Sequence, residues 1–162
     1  MATPQYHYGE MTWLQIKEAA AQACVAVVPV ATIEDHGLHL PVDTDVRLCY
    51  AACDRAVALV PDKAVLVPPV NHGYSPHHMD FPGAITIGWD TFIRYMLDVC
   101  KSLVAHSFRR ILIVNGHGSN TPFVDIISRL TVVETGALAA AINYWNAPGV
   151  HEVAESLRES DK

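Results

Sequence analysis

Ile33-Glu34-Asp35-His36-Gly37-Leu38-His39-Leu40-Pro41-Val42-Asp43-Thr44-Asp45 holds four carboxylates and two imidazoles in thirteen residues, directly after an apolar run. Crowded acids repel one another, and each must be hydrated or paired. A divalent cation resolves that conflict, because it neutralises carboxylates and accepts imidazole lone pairs. A second polar run, Asn115-Gly116-His117-Gly118-Ser119-Asn120, follows another apolar stretch. Two such loops point to a metal-assisted hydrolase.

Glu34 and His36 stand two apart in an extended segment, so a regular strand would turn both to one side. Asp45 lies beyond Gly37 and Pro41, which allow the chain to fold it back, and His117 comes from the second loop. Imidazole and carboxylate donors without thiolate suit Zn, Mn or Fe(II) at a catalytic centre. If Asp45 bridges, His36 brings in a second ion, and two ions together activate water and polarise a carbonyl. Other roles compete. A lone histidine after a strand, as His117 is, more often makes a structural hydrogen bond. Asp is also a common helix cap; capping is assigned to Asp43 or Thr44 and ligation to Asp45, which periodicity alone does not separate. His39 is expected to orient its neighbours.

The segment Asn71-His72-Gly73-Tyr74-Ser75-Pro76-His77-His78-Met79-Asp80-Phe81-Pro82-Gly83 reads as the substrate wall. His78 is the candidate catalytic, proton-handling group, and Ser75 a candidate for orienting substrate. Tyr74, Ser119 and Trp145 complete the expected substrate contacts. Tyr144 and Trp145 could stack on a flat substrate, although plain packing explains them equally well.

The elements that must position these groups follow from periodicity. Thr12 to Ala23 reads as a helix capped by Thr12. Cys24 to Val30 is apolar on both faces, as a strand inside a parallel sheet must be. Asp45 to Val60 and Asp90 to Ser107 have helical spacing. Ala64 to Pro68, Arg110 to Val114 and Leu138 to Asn143 are further strands. A helix runs from Pro122 at its first turn to about Thr135, capped by Thr121 or Asn120, and Val150 to Ser160 is a last helical piece. Alternating strands and helices imply right-handed crossovers, a mostly parallel sheet covered on both faces, and ligands beyond the strands' carboxyl ends.

The 162 residues suit a single domain. A net charge of −6 with scattered basic residues argues against nucleic acid or an anionic membrane as partner. The longest apolar stretch, Ala23 to Ala31, is too short to span a bilayer. Cys24, Cys49, Cys53 and Cys100 form no CxxC pair, so they are expected as buried apolar groups in a reducing cytoplasm. No GxGxxG or GxxxxGK[ST] supports a nucleotide-binding domain.

At these residues the chain resembles the creatininase (creatinine amidohydrolase) family, which also contains deformylases and a peptide-trimming maturase. The matching elements are Met11-Thr12-Trp13, Glu34-Asp35-His36-Gly37, His39-Leu40-Pro41, Thr44-Asp45, Gly73-Tyr74-Ser75, His78, Phe81-Pro82-Gly83 and Asn115-Gly116-His117-Gly118-Ser119-Asn120. The resemblance implies a three-layer α/β/α sandwich and a hexamer. It also implies two ions, one on Glu34, Asp45 and His117, the other on His36 and Asp45. Two departures qualify it. Ser119 stands where creatinine-hydrolysing members carry a metal-binding glutamate, which turns the reading away from creatinine. The family's C-terminal segment is also missing, so the chain is expected to be a fragment, or completed by another subunit, or degenerate. The expected activity is hydrolysis of a non-peptide C–N bond in a small cyclic amide or formamide. The alternatives are a peptide-trimming metallopeptidase and a metal-binding, non-catalytic subunit.

Overall fold

The computed structural model describes residues 5–159 of the chain. Its centre is a four-stranded sheet in the order β2-β1-β3-β4. The strands are β1 (Val25–Val30), β2 (Ala64–Leu66), β3 (Arg110–Asn115) and β4 (Leu138–Asn143), and every pairing is parallel. The register aligns Val30 with Asn115 and Asn115 with Asn143, so three strands end at one level. The loops that leave those ends therefore gather along one edge.

Both faces of the sheet are covered, and alternate residues of each strand go to opposite faces. On one face Ala26, Val28, Val30, Ile111 and Ile113 join Ala19 and Ala20 of α1 (Trp13–Ala21), Phe92 and Met96 of α3 (Trp89–Ala105), and Val124 and Ile127 of α4 (Thr121–Thr135). On the other, Val27, Ala31, Leu66 and Val114 pack on Cys49, Cys53 and Val57 of α2 (Thr44–Ala58). A short α5 (Val150–Ser156) follows β4. This is the expected α/β/α sandwich. All four cysteines are buried and free, and no helix among the described residues is long and apolar enough to cross a membrane.

Local chemistry sets the element ends. Thr12 caps α1 in a reciprocal box with Gln15, and Gly136 ends α4 in the left-handed conformation at φ 70°. β2 stops at Leu66, short of the expected Pro68, because prolines at 68 and 69 interrupt the ladder. Two expected caps are corrected. Asp43 sits at the N-cap of α2 but makes no cap bond: its carboxylate accepts from Arg47 at 2.8 Å, while the Thr44 hydroxyl donates to the Pro41 carbonyl. Neither Asn120 nor Thr121 caps α4 with its side chain. A 3-10 turn over Gly118–Asn120 runs straight into that helix, and both side chains bond elsewhere. The last helical piece ends at Ser156, and Ser160 lies outside the described residues.

Candidate metal centre

Asn115, the last residue of β3, is fully buried and acts as a fastener. Its amide donates to the His117 carbonyl at 2.7 Å and to Asn143 Oδ1 at 2.9 Å, and its Oδ1 accepts from the His117 N–H at 3.1 Å. His117 is thus held at a fixed height above the sheet edge. Gly116 allows the approach. A Cβ there would lie 2.5 Å from Cys49 Cβ and 3.1 Å from the Asp45 carbonyl oxygen, so α2 can come this close only to glycine. That contact brings Asp45, in the first turn of α2, over the same edge. The positive end of the helix dipole favours a carboxylate at this place.

Glu34 enters from the loop after β1. His117 Nδ1 lies 3.0 Å from Asp45 Oδ2 and 3.1 Å from Glu34 Oε2. Glu34 and His117 are only 7% and 4% exposed. One ligand atom from each of Glu34, Asp45 and His117 can be chosen so that all lie within 4.8 Å of one another. His36 joins at the side, with Nε2 3.0 Å from the other oxygen of Asp45.

The electrostatics favour a positive charge at this place. Burial opposes a charge on His117, but hydrogen bonds and charge from Asp45 and Glu34 outweigh it and raise its pKa to about 9. Burial pushes Glu34 up, yet hydrogen bonds from His117 and Ser75, with charge from His117 and His78, hold it below its ordinary value. The two carboxylates thus favour positive charge beside His117, the condition under which a divalent cation binds. Among the described residues the other ring nitrogen of His117, Nε2, is buried without a hydrogen-bond partner. The donor set fits the metal that the sequence implies.

The remaining expected residues are placed unevenly. Ser75 is fully buried, and its hydroxyl donates to Glu34 Oε2 at 2.7 Å. That bond orients the carboxylate. Tyr74 turns its ring edge-on to Phe123 at 5.0 Å, and its backbone N–H donates to Asn120 Oδ1. His78 pairs through Nδ1 with Asp35, while its Nε2 lies 3.7 Å from Glu34 Oε2. Ser119 is half-buried beside His77 at 3.4 Å. Trp145 packs against Tyr144, whose phenol pKa is raised by burial and then by the Asp45 charge.

Sequence reasoning missed the frame around the donors. Asn120, fully buried, ties the loop after β2 to the segment just past β1 by accepting from Tyr74 and donating to the Ala31 carbonyl. Gly73 is needed beside it, since a Cβ there would meet the Asn120 amide at 2.5 Å. Two asparagines flanking the Gly-His-Gly step were the available signal. Asp35, the partner of His78, was visible only as one more acid.

The creatininase family model, described as creatinine amidohydrolase, matches residues 9–162. The chain belongs to the creatininase family. Creatinine amidohydrolase of Pseudomonas putida is 31% identical over 122 residues, which is 72% of this chain and 46% of that protein. A mycofactocin precursor peptide peptidase of Mycolicibacterium smegmatis is 38% identical over 100 residues, 59% of this chain and 40% of its own length. A creatininase crystal structure superposes with a TM-score of 0.85 at 27% identity, over 95% of this chain and 63% of that one. Similar creatininase structures include a manganese form and a Zn–Zn form. The chain spans about half the length of the curated relatives it matches.

Proposed function

We propose that this chain carries the metal centre of an amidohydrolase that cleaves a non-peptide C–N bond in a small cyclic amide or formamide. The observation that carries this reading is the convergence of buried Glu34 and His117 with half-buried Asp45 from three separate segments, with contacts of 3.0 and 3.1 Å. These three would hold one ion, with His36 and Asp45 toward a second; Zn, Mn or Fe(II) suits the donors. Bound there, a divalent cation lowers the pKa of water and polarises a carbonyl.

The protein's own groups supply the rest. Ser75 keeps Glu34 Oε2 directed into the site, and Asp45 is shared between His36 and His117. Asp35 holds one nitrogen of His78, so the other is presented toward Glu34 and can pass a proton to the departing nitrogen. Ser119 and Trp145 are the substrate contacts of this reading, and a serine at 119, where creatinine-hydrolysing members carry a metal-binding glutamate, favours an amide other than creatinine. We place the protein in the cytoplasm, where four free thiols remain reduced. We assign it the homo-oligomeric, hexameric assembly of its family.

The test is to load the purified protein with Zn, Mn or Fe and assay a panel of cyclic amides and formamides. The expected result is turnover abolished by a chelator and restored by metal. Chelator-insensitive turnover, or intact donors that bind no metal, would contradict the proposal. Similarity to the peptidase gives a second reading, cleavage of a short peptide tail. Turnover of peptides with indifference to cyclic amides would favour it.

A further inference from the structure

A second group of donors lies outside the centre just described. The 3-10 turn over Pro76–His78 sets two histidines side by side, their ring centroids 4.4 Å apart. One ligand atom each from His77, His78 and Glu34 can be chosen within 4.8 Å of one another. His77 is exposed, and its Nε2 rests 3.4 Å from Ser119 Oγ. Its ring also stacks over that of His117, with 6.0 Å between centroids and 17° between planes. Ser75, His117 and His78 all approach Glu34 through Oε2, and no hydrogen bond to Oε1 occurs among the described residues. One oxygen of this carboxylate is therefore crowded while the other remains open to a further positive charge.

We propose a separate cation position at the mouth of the site, held by His77, His78 and Glu34. Two imidazoles and a carboxylate form a three-donor set that Zn²⁺ accepts, with water free to complete the shell. Glu34 belongs to both groups, so the outer position sits next to the inner one. It is the weaker of the two, because His77 is exposed and must be immobilised on binding. The position also has a consequence. A cation there takes the Nε2 lone pair of His78, and that histidine can no longer transfer a proton. Excess zinc thus inhibits. The consequence rests on the hydrolase reading above, whereas the position itself rests on the geometry alone.

The experiment is calorimetric titration of the metal-free protein with ZnCl₂, repeated for His77→Gln and His117→Gln, with folding checked by circular dichroism. The parent is expected to show a tighter and a weaker class of zinc. His77→Gln should weaken the second class by at least about tenfold and leave the first unchanged; His117→Gln should do the reverse. Co²⁺ substitution gives an independent readout: the visible bands that develop with the weaker class should disappear in His77→Gln. Identical titrations for the parent and His77→Gln would overturn the proposal, as would a parent that shows no His77-dependent class of zinc. Loss of the tight class in the parent, with the His77-dependent class intact, would instead count against the inner centre alone. Where a panel amide is turned over, high zinc should inhibit the parent and spare His77→Gln, and equal inhibition of both would refute the link to His78.

Discussion

The inner donors Glu34, Asp45 and His117 and the outer donors Glu34, His77 and His78 use the same chemistry in two different settings. The inner group hangs on the sheet: Asn115 fixes His117, Gly116 admits α2 with Asp45, and Ser75 fixes Glu34. The outer pair of histidines sits on a single 3-10 turn and is oriented by Asp35 on one side and Ser119 on the other. In both groups the ligand atoms lie within 4.8 Å of one another. The inner one is preorganised by buried hydrogen bonds whose loss would strand polar groups, while the outer one can rearrange at little cost. Affinity should follow that difference in support, since donor count is equal.

Breaking the inner group should have the largest effect. His117→Gln removes a donor outright, and tight cation binding should fall by more than about a hundredfold, since even outer partners of ligands are worth ten to a hundred; calorimetric titration reads it. Ser75→Ala keeps every donor but frees Glu34. It should weaken the tight class by about tenfold to a hundredfold, with the outer class shifted in parallel because Glu34 is shared. An unchanged tight class in Ser75→Ala would mean that the buried hydroxyl contributes no orientation.

Gly116→Ala probes the frame. The new methyl would press on Cys49 Cβ from 2.5 Å, and thermal unfolding of the metal-free protein should report about 1–3 kcal/mol of destabilisation. A matching loss of zinc affinity in the tight class, with the His77-dependent class spared, would sharpen the contrast between the two groups. A gentler effect concerns pH. The folded state raises His117 from 6.5 to about 9, so its contribution to stability is complete below 6.5 and fades as pH rises through 9. Glu34 is lowered from 4.5, so its contribution is complete above that value and fades as pH falls through the folded value. Metal-free protein should lose stability on either side of this window, and saturating metal should flatten the alkaline limb.

Much of this was legible in the residues. β-branched and apolar runs such as Val25–Val30 can be satisfied only in a sheet covered on both faces, so the α/β/α order followed from composition along the chain. The two polar loops stood out because acids and histidines so dense after a buried strand have few uses. Pairing across the fold was less legible. Nothing in one strand says that Asn115 will meet Asn143, or that Asn120 will leave its helix cap to hold Tyr74, because both depend on parallel register. The bond from Ser75 to Glu34 was hidden for a related reason: a serine in a Gly- and His-rich loop looks exposed, yet Ser75 is buried against Glu34. His77 drew no role because its partners, Ser119 and Glu34, come from two other loops.

The central claim is that side chains from α2 and from the loops after β1 and β3 share one cation. An anomalous difference map from crystals of the zinc-loaded protein, collected on both sides of the zinc absorption edge, tests it most directly. The account predicts a peak enclosed by Glu34, Asp45 and His117. A map with those three side chains ordered and no peak between them would contradict it.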